Sequence, residues 1–369
     1  MFKFTNYVLI AFFNVLLVSG LAGCGGNSES DSSNNQPQKV SYDSVVSFGD
    51  SLSDAGAYKV GIINNTLEGG LFTVNGINEA PGSDPVPSYT WAQLVSAATV
   101  GKVSCAARTG GFGVAITNMT DCTNFAQGGA RITNASGIGR IPFGLGALTE
   151  PIVTQVTNYL NRTSTGRFSG NELITVQGGA NEIFVIDDID RLIANQGTKG
   201  SDNAIASMVK SATELSAIVK DMISKGAKHV VVTNLPDISL TPFAFKTNND
   251  TRTLLLAMTK AFNQKLKEDL AGVGNVLYID VFTENQKQMA NPGQFGLSNV
   301  KDTACNMNFI INPLVLVNKQ GSSLACNRGT MIAGDTSRYL FADTVHPTPY
   351  GHKLISQLVI KELVLAGWM

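Results

Sequence analysis

The chain has 369 residues, enough for one large domain or two ordinary ones, and 43% of them are hydrophobic, which supplies a full core. Charged residues make up 15%, below the roughly 25% of an average soluble protein, and with 37 glycines this fits an exported chain with long polar loops. Lys and Arg (27) balance Asp and Glu (28) without any block of like charge, which argues against a nucleic-acid footprint and directs attention to neutral or apolar small-molecule partners.

Residues 1–23 read as a lipoprotein-type signal peptide. Lys3 precedes an apolar run from Val8 to Val18, too short for a membrane span, which takes about 20 residues. Leu21-Ala22-Gly23-Cys24 looks like a lipobox with Cys24 as the lipidated residue. This points to the bacterial cell envelope, lipid-anchored, with Gly25 favouring the outer membrane, or else to a secreted chain. Several acyl chains at Cys24 would hold the protein on a membrane. Residues 24–42 read as a flexible tether, rich in Ser, Asn, Gln, Asp and Gly with one Pro.

From residue 43 onward, short β-branched runs alternate with helix-like segments, the signature of an α/β fold with a parallel sheet. Core strands are expected at 44–48, 172–176, 229–233 and 276–280, with a weaker fifth at 122–126. Helices are expected at 152–160, 204–225 and 253–270, the second ended by Gly226, and a last one from about Pro349 that turns Leu354, Ile355, Leu358 and Ile360 to the core. Residues 56–121 and 285–342 break this rhythm and are expected to line a substrate cleft. Four cysteines remain beside Cys24: Cys105 within the first segment with Cys122 just past its end, and Cys305 and Cys326 within the second. Three pairings are possible in an exported chain, and sequence neighbours give the simplest, Cys105–Cys122 and Cys305–Cys326. No Cys-x-x-Cys occurs and no His sits at metal-ligand spacing from a Cys, so neither metal nor organic cofactor is implied. Nothing predicts oligomerisation, and the chain is read as a monomer.

Ser51, in Phe48-Gly49-Asp50-Ser51-Leu52-Ser53-Asp54, follows the first strand at the edge where open α/β sheets bind ligands. A helix is expected to start there, which would leave the Ser51 amide free to stabilise an oxyanion. Asp50 and Asp54 are read as capping and turn residues. A serine nucleophile needs a base, and the chain offers only His229, His346 and His352. His229 opens a strand at its amino end and is read as structural; His352 is expected to face solvent or support the site from behind. His346 lies in Asp343-Thr344-Val345-His346-Pro347, where Pro347 keeps it extended and Asp343 can fix its tautomer. Asn124-Phe125-Ala126-Gln127-Gly128-Gly129-Ala130 and Gln177-Gly178-Gly179-Ala180-Asn181-Glu182 end two other strands on the same edge and can supply further donors.

With these blocks in order over residues 43–366, the chain resembles the GDSL, or SGNH, hydrolases: 48–54 their first block, 124–130 the second, 178–181 the third and 343–346 the fifth. Asn234-Leu235-Pro236-Asp237 with Thr241-Pro242 is similar to a segment of bacterial lipase-like members. The resemblance implies a flavodoxin-like three-layer α/β/α sandwich over 43–369 with a mostly parallel five-stranded sheet. It implies Ser51, Asp343 and His346 as catalytic triad and Ser51, Gly128 and Asn181 as oxyanion donors, with Gly129 as the alternative to Gly128. Glu182 stands where the family usually has Asp. The expected activity is hydrolysis of carboxylic esters (esterase, lipase, phospholipase or acyltransferase) through an acyl-enzyme. A carbohydrate O-deacetylase and an inactive surface-binding module are the alternatives.

Overall fold

The computed structural model describes residues 40–76, 88–142, 144–185, 189–308, 310–312, 314 and 323–369, with backbone alone over 189–198. The stretch expected to be a signal peptide, Cys24 and nearly all of the expected tether lie outside the described residues. Lys39–Met369 is a single compact unit. In chain order its elements are β1 (Ser44–Gly49), α1 (Gly61–Asn65), α2 (Trp91–Val100), β2 (Arg108–Gly111), β3 (Val114–Asn118), α3 (Ile152–Leu160), β4 (Glu172–Gln177), α4 (Ala180–Phe184) and α5 (Ile189–Ser224). There follow β5 (His229–Thr233), α6 (Pro242–Phe245), α7 (Asn249–Leu270), β6 (Val276–Ile279), α8 (Val281–Ala290), β7 (Asn299–Thr303), β8 (Tyr339–Phe341) and α9 (Pro349–Leu365).

The central sheet is parallel, in the order β1-β4-β5-β6. The expected fifth strand is an extended segment held beside β1 by a parallel bridge at Ser47 and Asn124. The Phe125 N–H donates to Ser47 O at 2.7 Å and the Gln127 N–H to Gly49 O at 3.1 Å. With that segment included, the spatial order is the flavodoxin-like 2-1-3-4-5, and its reversal falls between β1 and β4.

Alternation along each strand sends side chains to two cores. Val46, Phe48, Ile174, Val176, Val230 and Val232 pack against α3, α5 and α7. Val45, Leu173, Val231 and Ile279 pack against Trp91, Ala92 and Val95 of α2 and Val359 and Leu363 of α9. The result is a three-layer α/β/α sandwich. Strands buried on both faces cannot tolerate a register slip, since every side chain would have to exchange cores. On α9 the buried positions are Pro349, Tyr350, Gly351 and His352 in the first turn, then Ser356, Val359 and Leu363. The expected Ile355, Leu358 and Ile360 are half-buried beside them, and Leu354 joins a separate cluster under β7 and β8.

Two further differences from expectation bear on the site. The segment 56–121 is not irregular throughout. It holds α2, started by a capping box in which Thr90 and Gln93 satisfy each other's backbone donors. The expected helix at Ser51 is absent: residues 51–53 form a turn closed by the Ser53 N–H on Asp50 O at 3.1 Å. Asp54 prevents propagation, because its Oδ1 accepts from the Gly56 and Ala57 amides at 2.8 and 2.7 Å and draws the chain into a loop. No helix among the described residues is long and apolar enough to cross a membrane.

Candidate active site

Three sheet-edge loops and the entry to α9 converge at the switch point. Ser51 lies in the turn after β1; its Oγ lies 2.8 Å from His346 Nε2, and His346 Nδ1 lies 2.8 Å from Asp343 Oδ2. The three side chains therefore form one hydrogen-bonded chain, almost wholly removed from solvent. Asp343 stays ionised there because it is well supplied with donors. Burial pushes its carboxyl up, but the His346 imidazole and N–H groups of Ser323 and Val345 outweigh this and hold it down at about 2. Oδ1 accepts from the Val345 and His346 amides, both at 2.8 Å, and Oδ2 from the Ser323 amide at 2.7 Å. An acid that must accept from the ring and from its own loop fixes both the tautomer and the ring plane.

The disulfides pair as the simplest reading expects, Cys105–Cys122 and Cys305–Cys326. The second belongs to the support of Asp343. Asn75, buried, donates to Ser323 O at 3.1 Å and to Cys326 O at 2.9 Å, tying the loop that bears the Ser323 amide to the first insert. The same insert supplies Phe72, whose ring lies 5.0 Å from that of His346, and Thr73, whose hydroxyl donates to Pro347 O at 3.0 Å. Phe72, Thr73 and Asn75 carry no sequence motif; their only signal is a run of uncharged residues between two expected strands.

The donor set departs from expectation at one position. The Gly128 amide donates to Asp54 Oδ2 at 2.8 Å, so it is engaged in holding the loop. The Gly129 amide and the Ser51 amide have no hydrogen-bond partner among the described residues, and both residues line the cavity. The reason is the buried Asp54 carboxylate, which burial pushes up to about 6 and which three backbone amides partly compensate. It recruits Gly128 and leaves the next peptide free. Gly129 has φ +79° and a side chain there would meet Ile138 O at 2.2 Å, so this turn requires glycine. A Cβ at Gly128 would lie 2.1 Å from the Phe72 ring. Asn181 donates one Nδ2 hydrogen to Ala130 O at 2.8 Å and keeps a second, since the amide nitrogen carries two.

Glu182 uses its extra methylene. It pairs with Arg131 through both guanidinium Nε and Nη2 and accepts the Ile132 amide at 3.0 Å, which staples the second donor loop to the third. Behind Ser51, the buried Gln155 side chain receives the Gly49 amide and donates to the Gly49 carbonyl, each at 2.8 Å. Asp50 is buried with one good donor, the Leu52 amide at 3.1 Å, and burial pushes its carboxyl up to about 7. His229 packs edge-on against Tyr42 and Trp368 at the amino end of β5. His352 does not face solvent. It is fully buried, its Nδ1 accepts the Trp91 amide at 3.2 Å, and burial holds it near 3, hence neutral.

The constellation opens into a cavity of about 620 Å³. Both long inserts contribute, through Phe72, Phe112, Leu314 and Leu324, and the loop 136–147, which no motif marked, closes one side with Ile138, Ile141 and Leu145. Among the described residues no group of three His, Cys, Asp or Glu could hold a metal ion. A preformed Ser–His–Asp chain, unpaired amides at the same point and an apolar cavity together can bind an apolar acyl group and attack its carbonyl carbon.

A protein from the trpE–trpG intergenic region of Pseudomonas putida is 27% identical over 340 residues, covering 89% of this chain and 49% of that protein. Esterase EstA of Pseudomonas aeruginosa is 32% identical over 147 residues, 38% of this chain and 20% of EstA. The chain thus spans half or less of the length of these relatives. Among solved structures, an acetyl-xylooligosaccharide esterase from Geobacillus aligns at a TM-score of 0.40 and 10% identity, over 88% of this chain and 96% of that one. The family model described as GDSL-like lipase/acylhydrolase matches residues 45–359, and the chain belongs to that family.

Proposed function

We propose that the protein hydrolyses carboxylic esters through an acyl-enzyme on Ser51, with acyl esters of glycerol or phospholipid as its substrates. The observation that carries this is the continuous chain Ser51 Oγ–His346 Nε2–His346 Nδ1–Asp343 Oδ2, 2.8 Å at each link, beside two unpaired amides. Ser51 Oγ attacks the carbonyl carbon while its proton passes to His346 Nε2. The imidazolium is stabilised by Asp343, which remains a carboxylate. The carbonyl oxygen, now an oxyanion, takes hydrogen bonds from the Ser51 and Gly129 amides and the second Nδ2 hydrogen of Asn181. Collapse expels the alcohol, protonated by His346, and a water activated by the same imidazole releases the acid. The apolar cavity walls supply acyl-chain binding.

A fluorophosphonate should label the purified protein on Ser51, identified by peptide mapping, and Ser51→Ala should neither label nor turn over. A label elsewhere, or none, would overturn the assignment. A chain-length series of esters run beside acetylated sugars tests the substrate class: faster deacetylation than cleavage of C4–C10 esters would make the protein a carbohydrate deacetylase. The tether is part of the same proposal. Metabolic labelling with a fatty acid should mark the wild type and not Cys24→Ser.

A further inference from the structure

Around the cavity mouth the surface changes character. The hairpin β2–β3 and the loop 136–147 are joined where the Phe112 amide donates to Gly146 O at 2.9 Å. On its other side the hairpin touches α1, since a side chain at Gly61 would meet Val114 Cγ2 at 2.7 Å. These three neighbouring pieces expose large apolar side chains: Ile62 by 60%, Ile116 by 48%, Ile141 by 70% and Leu145 by 48%, with Val114 at 38%. Ile141 and Leu145 also line the cavity, so the exposed patch runs without a break into the acyl-binding wall.

The charge on this rim is equally one-sided. Residues 60–67, 109–118 and 132–149 contain one charged side chain, Arg140. Lys59, Glu68, Asp121 and the Arg108–Glu150 pair stand at its margins. Arg140 is exposed and lines the cavity, and its Nη1 is pinned by the carbonyls of Ala135 and Leu148 at 3.0 and 3.3 Å. It has no carboxylate partner among the described residues, so Nε and Nη2 remain free to donate. Apolar side chains ringing a mouth, with a single fixed guanidinium and no carboxylate among them, match the depth profile of an anionic phospholipid surface: acyl region first, phosphates just above.

We infer that this rim, formed by α1, the β2–β3 hairpin and the loop 136–147, docks the mouth of the cavity onto an anionic phospholipid surface, with Ile116, Ile141 and Leu145 entering the lipid and Arg140 meeting a phosphate. This deepens the proposed function by delivering lipid esters directly from a membrane to Ser51, and it does so independently of any anchor on Cys24. An anchor alone leaves the domain free to face any direction; the rim sets its orientation.

The test reads orientation, not mere attachment. In a Cys24→Ser chain, with the other four cysteines paired, an environment-sensitive fluorophore is attached through Ile116→Cys, through Leu145→Cys, or through Ser224→Cys at the opposite sheet edge. Vesicles of phosphatidylglycerol and phosphatidylcholine should shift the emission of the first two to the blue and leave the third unmoved. No shift at 116 and 145, or an equal shift at 224, overturns the inference. A shift that appears without vesicles and grows with protein concentration would assign the face to a second copy and also overturn it. Val114→Ser with Ile116→Ser, read from the 145 probe, should weaken vesicle binding at least about tenfold. Arg140→Gln should weaken it about fivefold on anionic vesicles and leave weaker binding to pure phosphatidylcholine unchanged; equal loss on both would refute the phosphate contact. Each probe chain keeps Ser51 and is also treated with a fluorophosphonate. If the probes respond while fluorophosphonate labelling fails, the reaction is wrong and the docking stands; the reverse pattern removes the docking alone.

Discussion

The two walls of the cavity are held by different forces. On the Ser51 wall hydrogen-bonded side chains hold the loops in place. Gln155 brackets Gly49, Asp54 holds three amides, Glu182 binds Arg131 and the Ile132 amide, and Asp343 is fed by Ser323, Val345 and His346. On the opposite wall Phe112, Ile138, Ile141 and Leu145 meet the cavity through apolar surface, and Arg140 stands beside them at the mouth. Hydrogen bonds fix position within a few tenths of an ångström, whereas apolar contact tolerates sliding. Chemistry should therefore be brittle on the first wall, and binding graded on the second.

The largest break in that comparison should come from Asp343→Asn. The amide cannot accept from every donor now aimed at the carboxylate, and it permits the wrong imidazole tautomer. A fall in kcat of about 10⁴ on a soluble short-chain ester is expected, with circular dichroism unchanged. A loss below tenfold would mean that His346 is oriented by its loop and by Phe72 instead. Asn181→Ala comes next, with kcat reduced about 10²–10³ and KM little changed. Because Asn181 also holds Ala130 O through the same Nδ2 group, the unfolding midpoint is measured beside kcat: a variant that is slow but as stable as wild type has lost an oxyanion donor, whereas a fall in kcat that comes with an equal loss of stability would make Asn181 a scaffold residue.

Much of the first wall was legible in the sequence because its chemistry needs scarce residue types. Three histidines limit the base, and only one has an Asp three residues before it on an extended loop. The strands were legible because burial on both faces demands unbroken β-branched runs. What escaped notice acts through space and not through local pattern. Asp54 looks like any turn residue until its Oδ2 is found 74 positions away on Gly128, which moves the free donor to Gly129. Asn75 reaches Ser323 and Cys326 across some 250 positions. His352 has the helical spacing of a surface residue, yet α2 covers it, and α2 itself was hidden among glycines and prolines despite its Thr90–Gln93 capping box.

Asp50 sharpens the comparison, as the least satisfied carboxyl on the well-satisfied wall. Its native value of about 7 lies above the ordinary 3.8, so its contribution to stability is fully present below about 3.8 and is lost as pH rises through about 7. Asp50→Asn keeps an acceptor for the Leu52 amide and offers an N–H to Gln177 Oε1, which is buried without a partner. The variant should therefore be more stable than wild type at pH 8, by a few kcal/mol at most, and no more stable at pH 4. Denaturant unfolding at the two pH values measures this. A pH-independent difference would show that Asp50 is ionised throughout and held by its neighbours.

The smallest effect belongs to the second wall, where it should be graded by substrate. Leu145→Ala removes methyl groups from the cavity rim and disturbs no hydrogen bond. A butyryl ester bound at Ser51 ends close to the oxyanion donors, so its kcat and KM should stay within about twofold. A longer acyl chain must lie along Ile138, Ile141 and Leu145, and each methylene it buries is worth about 0.8 kcal/mol. The variant forfeits part of that contact, so KM should rise a few-fold for decanoate while kcat holds, because the lost binding is shared by ground state and transition state. A plot of log(kcat/KM) against acyl length should keep its origin and lose slope. A parallel downward shift at every length would mean that Leu145 positions the reacting carbonyl, and the two walls would then have to be treated as one.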